Sequence, residues 1–199
     1  MATGADPIDL KLYHDLKDVL QKSSSTSSKA PPKPGAFTLF NFPEAPKNPY
    51  DLVYDGIYLG GASVARKPDV LKSLGVTHVV NAAHGSKYNQ IDTSPEYYQE
   101  ADITFHGIPA LDIMTYKILP HLRPPAEFMQ KARQNGGVLY VHCQQGVSRS
   151  ATVILAYLML HQDYQLLDAV RTLREKREIF PNDGFLKQLC VLDKELKKS

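Results

Sequence analysis

His142-Cys143-Gln144-Gln145-Gly146-Val147-Ser148-Arg149-Ser150-Ala151-Thr152 leaves one apolar run, passes through a hydrophilic turn and enters a second apolar run of different period. Upstream, Val138-Leu139-Tyr140-Val141 reads as a strand; downstream, Thr152, Val153, Leu155, Ala156 and Leu158 recur at helical spacing. A strand, a tight loop and a helix in that order put the loop at a helix N-terminus. Unpaired N–H groups and the helix dipole there favour an anion.

Cys143 stands in the same field. A free thiol titrates near ~8.5 and falls to about 3.5–7.5 beside a helix N-terminus and a cation, so a thiolate is expected at neutral pH. Arg149, six residues on, is placed to curl back over the loop and offer two parallel donors to a phosphoryl group, a geometry that Lys lacks. Gly146 has no Cβ and accepts positive φ, which lets the backbone of Gln144, Gln145, Gly146, Val147 and Ser148 close on the ligand. Ser150 is near enough to hydrogen-bond the sulfur and stabilise it as a leaving group when a phosphocysteine is hydrolysed. A half-buried structural side chain is the commoner fate of an intracellular cysteine. Five fixed residues at about one in twenty each coincide by accident less than about once in a million start positions, which favours the nucleophile.

The loop resembles the signature of the cysteine-dependent protein tyrosine phosphatase superfamily: His-Cys, five residues, then Arg-Ser or Arg-Thr. Three further stretches, Ile57-Tyr58-Leu59-Gly60-Gly61-Ala62-Ser63-Val64-Ala65, Gly75-Val76-Thr77-His78-Val79-Val80-Asn81-Ala82-Ala83 and Arg177-Glu178-Ile179-Phe180-Pro181-Asn182-Asp183-Gly184-Phe185-Leu186, are similar to atypical dual-specificity protein phosphatases of the VHR type. The likeness spans residues 48–197. It implies two-step hydrolysis of phosphotyrosine and phosphoserine or phosphothreonine in proteins, through a phosphocysteine, with neither metal nor other cofactor. It also implies a general acid at Asp112, which ends Gly107-Ile108-Pro109-Ala110-Leu111-Asp112 after the predicted strand 103–108. Parallel strands present their carboxyl ends on one side of a sheet, so Asp112 and Cys143 are expected to converge. One carboxyl then serves as acid in the first step and base in the second.

The same resemblance implies that Arg177 binds a second phosphate beside the pocket, suited to doubly phosphorylated protein substrates such as kinase segments. Charge alone gives Arg171, Arg174 and Arg177 as a stripe on one predicted helix, and such a stripe is as often a solvated face. The chain departs from its relatives at Lys117, where they often carry Asn or Asp, and at Gln145 and Val147 in the loop. Pro120, Pro124 and Pro125 are also unusual there and predict a helix that starts or kinks at Pro124.

With 199 residues, 43% hydrophobic and 22% charged, the chain fits one domain of about 150 residues and an arm. A net charge of +2 is too small to point to nucleic acid. Two cysteines, Cys143 and Cys190, without zinc-like spacing predict a reducing cytosolic or nuclear setting and no metal. Cys190 follows Leu186 and Leu189 in a helical pattern and reads as a small core side chain. No run approaches the ~18 apolar residues of a membrane span, so a soluble protein is expected.

Residues 1–47 read as an arm. Within it Ile8, Leu12, Leu16, Val19 and Leu20 form an amphipathic stripe expected to pack on the catalytic domain or help present substrate. The Ser- and Pro-rich residues 23–35 read as a linker. Over residues 48–199, the expected catalytic domain, short strands alternate with helical stretches, which predicts an α/β fold: a twisted, mostly parallel sheet with helices on both faces.

Two other functions compete. One is a phosphoresidue-binding scaffold that keeps the loop but turns over poorly; the intact Cys143, Arg149 and Asp112 weigh against it. The other is hydrolysis of non-protein esters, such as phosphoinositides or RNA 5′-phosphates. Gln144, Gln145 and Val147 supply no cation for them.

Overall fold

The protein is described by a computed structural model over residues 8–21 and 45–198, so the linker predicted at 23–35 lies outside the described residues. Helix α1 (Leu10–Gln21) comes first, followed by strands β1 (Tyr50–Tyr54) and β2 (Ile57–Gly60) and the short helices α2 (Ala62–Ala65) and α3 (Pro68–Ser73). Next come β3 (His78–Asn81), α4 (Pro95–Tyr98), β4 (Thr104–Gly107), α5 (Arg123–Gln134) and β5 (Leu139–His142). The chain finishes with α6 (Arg149–His161), α7 (Leu166–Lys176) and α8 (Asp183–Leu196).

The five strands lie in the order β1-β2-β5-β3-β4. Only β1 is antiparallel, paired with β2, and the other pairings are parallel. The expected α/β sheet, mostly parallel and flanked by helices, is therefore the observed one. Alternate side chains separate its two faces. Leu139 and Val141 join a large core with α5, α6, α7 and α8, whereas Tyr140 and Val79 point into a smaller one with Leu71 and Tyr98. Helix α6 runs through the large core with every residue from Arg149 to Met159 buried, which explains why it is apolar all round.

Register fixes where the site lies. Gly60 pairs with His142, His142 with Asn81, and Asn81 with Gly107, so the parallel strands end level. The loops that leave those ends therefore share one edge of the sheet. Two of them carry Cys143 and Asp112.

Two local expectations are refined. Helix α5 starts at Arg123 and runs unbroken to Gln134, because Pro124 and Pro125 occupy first-turn positions whose N–H groups would have no intrahelical partner anyway. Helix α7 stops at Lys176, short of the Arg177 that the predicted stripe includes, and Arg177 is extended (φ −150°, ψ 144°). Helix α1 packs on the domain as expected, burying Leu16 and Leu20 completely or nearly so. Its Lys17 meets Asp183 at 2.6 Å and lies over the Phe180 ring. Among the described residues no helix is long and apolar enough to cross a membrane.

Candidate active site

Strand β5 delivers Cys143 to the floor of a cavity of about 290 Å³ lined by Tyr88, Asn89, Asp112, Arg149 and loop residues between Gln144 and Ser148. The thiol is 2% exposed. Burial by itself raises its pKa, but the Arg149 guanidinium, the Ser150 hydroxyl and the N–H groups of Ser150 and Val147 more than offset that and bring it below the ordinary thiol value. The Ser150 Oγ donates to Sγ at 3.2 Å. His142, wholly buried beside it, is pushed down to about 3 by desolvation and is neutral.

The loop is pinned from outside. The carbonyl of Gln144 accepts from the Ala62 N–H (3.1 Å), that of Gln145 from Arg177 Nη2 (3.0 Å), that of Gly146 from Arg177 Nε (2.9 Å) and that of Val147 from the Phe180 N–H (2.9 Å). A planar trans peptide points its N–H opposite to its C=O, so four outward carbonyls turn the N–H groups of residues 145–148 inward. Gly146 has φ +70°, and a Cβ there would strike the Gly60 backbone. The loop thus needs glycine twice over, for conformation and for space.

Arg149 is 1% exposed and its fork is set by partners that sequence reading did not single out. Its Nη1 donates to the carbonyls of Asn89 (2.7 Å) and Ala110 (3.2 Å), and its Nη2 to Asn89 Oδ1 (3.1 Å). Nε has no hydrogen-bond partner among the described residues; Asp112 Oδ2 lies 3.6 Å away, beyond hydrogen-bond range. The free edge of the guanidinium, Nε–H and the adjacent Nη2 hydrogen, presents two parallel donors of the kind that pair with two oxygens of one anion. Asn89 sits at φ +61° in a loop tied down by Asn81, whose side chain donates to the Ile91 carbonyl and Thr93 Oγ1 and accepts from the Ala83 N–H.

Asp112 reaches the same cavity. Its Oδ1 accepts from Ser148 Oγ (2.8 Å) and Asn182 Nδ2 (2.9 Å). Asn182 also caps α8 by accepting from the Phe185 N–H, so one amide side chain joins the carboxyl to a rigid helix end. The rest of this loop runs along α8: Gly184 has no room for a Cβ against the Met114 carbonyl, and Gln188 bonds both the Tyr116 carbonyl and the Leu119 N–H. The capping role of Asn182 was readable from its place before a helical run; its hold on Asp112 was not. Lys117 is exposed and enters none of these contacts.

Arg177 departs from what the resemblance implied. Its side chain is 1% exposed and turned inward, with Nη1 on the Asn48 carbonyl (3.0 Å) and Asp51 Oδ2 (2.6 Å) in addition to the two loop carbonyls. It belongs to the back of the loop, and the stripe predicted with Arg171 and Arg174 is broken where α7 ends.

A cysteine held below its ordinary pKa, an arginine with a free donor edge and a carboxyl on the facing loop define a phosphoryl-transfer site on a doubly covered sheet. Residues 57–195 match the family model described as "Dual specificity phosphatase, catalytic domain", and the chain belongs to that family. It is a phosphatase. The mouse "Dual specificity protein phosphatase 26" is 41% identical over 152 residues, which cover 76% of this chain and 70% of that protein. Among solved structures, human DUSP28 is similar with a TM-score of 0.65 and 30% identity, covering 75% of this chain and 96% of that one. PTPMT1 in complex with PI(5)P has the same fold with a TM-score of 0.65 at 21% identity, over 76% of this chain and 98% of that one.

Proposed function

We propose that this phosphatase hydrolyses phosphotyrosine and phosphoserine or phosphothreonine in proteins through a phosphocysteine. The Cys143 thiolate attacks phosphorus; a P–S bond forms as the P–O bond breaks, and Asp112 gives its proton to the departing oxygen. The Asp112 carboxylate then takes a proton from water, which attacks phosphorus and returns the thiolate. Ser150, donating to Sγ at 3.2 Å, stabilises the sulfur as it leaves. The inward N–H groups of residues 145–148 and the free edge of Arg149 hold the three non-bridging oxygens, and their fixed placement supplies most of the rate.

The observation that carries this reading is the buried Arg149 Nε, a charged donor without a hydrogen-bond acceptor among the described residues, on the wall of the cavity that holds Cys143. A buried donor without a partner costs about 1–3 kcal/mol, which a phosphoryl oxygen would recover. Among the described residues, Arg149 is the one cation lining that cavity. This supports a substrate with a single phosphoryl group in the pocket over a phosphoinositide carrying several. Two cysteines without a disulfide between them support a reducing cytosolic or nuclear setting.

The test is rapid-quench kinetics on singly phosphorylated peptides with wild type and Asp112→Asn. Turnover by wild type is expected on phosphotyrosine and phosphothreonine peptides, with the slowing by Asp112→Asn reaching about 10²–10⁴-fold for the poorer alkoxide leaving group. A phosphoenzyme mapped to Cys143 is the expected intermediate. Hydrolysis confined to soluble inositol phosphates, or turnover without a phosphoenzyme, would falsify the proposal.

A further inference from the structure

The turn that covers Arg149 contains a residue at odds with its own backbone. Lys87 to Gln90 close a tight turn, with the Gln90 N–H on the Lys87 carbonyl (3.0 Å) and the Lys87 N–H on Gln90 Oε1 (3.1 Å). Asn89 is the third residue of that turn and has φ +61°. Glycine is the default at such a position, because a side chain there is crowded by the backbone and asparagine only tolerates it. The contact that offsets this preference is with Arg149. Resting on the phosphatase reading above, we infer that Asn89 is a positioning residue whose side-chain oxygen sets the Arg149 fork for one tetrahedral oxyanion before substrate arrives.

Arginine has five N–H donors and no acceptor, so the oxygen end of the Asn89 amide has to face it. Three of the donors are engaged: both on Nη1, by the carbonyls of Asn89 (2.7 Å) and Ala110 (3.2 Å), and one on Nη2, by Asn89 Oδ1 (3.1 Å). The two left over are Nε–H and the second Nη2 hydrogen, parallel neighbours on one edge. A guanidinium held at Nη1 alone would pivot about that end. The contact on Nη2 fixes its plane.

The chemistry of the amide suits this task. A carboxylate in the same place would pair with Arg149 and neutralise the charge that attracts a phosphoryl dianion and lowers the Cys143 pKa. The amide supplies an acceptor without a charge. Asp112, the carboxylate that does approach this guanidinium, stays 3.6 Å from Nε. Behind the turn, the Ile91 N–H reaches the Ala83 carbonyl (2.7 Å), the Gly85 N–H the Ile91 carbonyl (3.2 Å), and the Asn81 side chain both Ile91 and Thr93. Asn81 ends β3, so that strand is tied to the turn that grips Arg149 as β5 is tied to the loop that carries it.

The experiment measures orthovanadate inhibition, kcat and KM for an aryl phosphate, and the pH dependence of Cys143 alkylation in the full chain as wild type, Asn89→Gly and Asn89→Asp. Glycine keeps the turn and the backbone carbonyl but removes Oδ1; aspartate keeps the shape and adds a charge. Asn89→Gly is expected to raise KM and the vanadate inhibition constant together by about 10-fold or more, the lower end of what a hydrogen bond to a charged group is worth. Its Cys143 alkylation pKa should move little, because the guanidinium charge remains. In Asn89→Asp that pKa should rise and vanadate should bind more weakly still. A merely structural residue would lower the fraction of active enzyme, cutting kcat while KM and the vanadate constant stayed at wild-type values. That pattern in Asn89→Gly overturns the inference, as does an Asn89→Asp enzyme with wild-type vanadate affinity or an unmoved thiol pKa. If Asn89→Gly fails to fold, the isosteric Asn89→Asp still decides. None of these readouts uses a phosphopeptide, so wild type that binds vanadate yet leaves phosphopeptides intact would count against the proposed substrate class, while the variants would continue to judge the clamp.

Discussion

Cys143 and Cys190 are buried equally, each 2% exposed, yet their thiols are driven in opposite directions. Burial raises both. At Cys190 the carboxylates of Asp193 and Asp9 add to burial and push the thiol up to about 12. At Cys143 a guanidinium, a hydroxyl and two amide N–H groups reverse it. Depth therefore says little about a cysteine's chemistry. The charges and dipoles aimed at the sulfur decide it.

The comparison can be broken most severely by exchanging the nucleophile. Cys143→Ser is expected to cut kcat on an order of 10⁶-fold, the scale of nucleophile deletion in other enzymes, whereas Cys190→Ser should leave aryl phosphate hydrolysis within about threefold of wild type. Comparable losses in the two would mean that the thiols are not distinct. Next in size is reactivity: at pH 7 iodoacetamide should modify Cys143 at least about 10²-fold faster than Cys190, as mass spectrometry of timed digests would show.

Ser150→Ala sharpens the contrast by removing one donor alone. Loss of a hydrogen bond to a charged group is worth about 1.5–3 kcal/mol, so breakdown of the phosphoenzyme should slow by about 10- to 100-fold. The acid limb of kcat/KM, which falls as pH drops through the thiol pKa, should move to higher pH. An unmoved limb would show that the hydroxyl does not act on the sulfur. The smallest effect belongs to Cys190→Ala, expected to cost about 1 kcal/mol in denaturant unfolding at neutral pH. Because the Cys190 pKa is raised on folding, its contribution is complete below the ordinary thiol value and is lost as pH climbs towards about 12. Unfolding free energies measured across that alkaline range should fall less steeply in the variant than in wild type.

Much of this was legible in sequence because it is local. The change from strand to helical period around His142 to Thr152 located the loop, and Cys143, Gly146, Arg149 and Ser150 lie within eight successive residues of it. Asp112 was placed by resemblance and by the rule that parallel strands end together, which the level register of Gly60, His142, Asn81 and Gly107 explains. What stayed hidden was side-chain partnership across long separations. Asn89 meets Arg149 from 60 positions away, Asn182 meets Asp112 from 70, and Asp51 meets Arg177 from 126. No periodicity encodes such pairs. Arg177 shows the cost: helical spacing and charge put it on a solvent stripe, while tertiary contacts ended α7 one residue earlier and drew it beneath the loop.

Helix α1 rests its Lys17 against Phe180 and Asp183, the two residues that flank Pro181 and Asn182. Phe180 holds the Val147 carbonyl, and Asn182 holds Asp112. A recombinant version trimmed to residues 57–195, the stretch that matches the family model, would thus discard that prop together with Asn48 and Asp51, and kinetics gathered on it would describe a differently tuned catalyst. Assays meant to represent this enzyme should begin upstream of α1, with affinity tags kept at the opposite terminus.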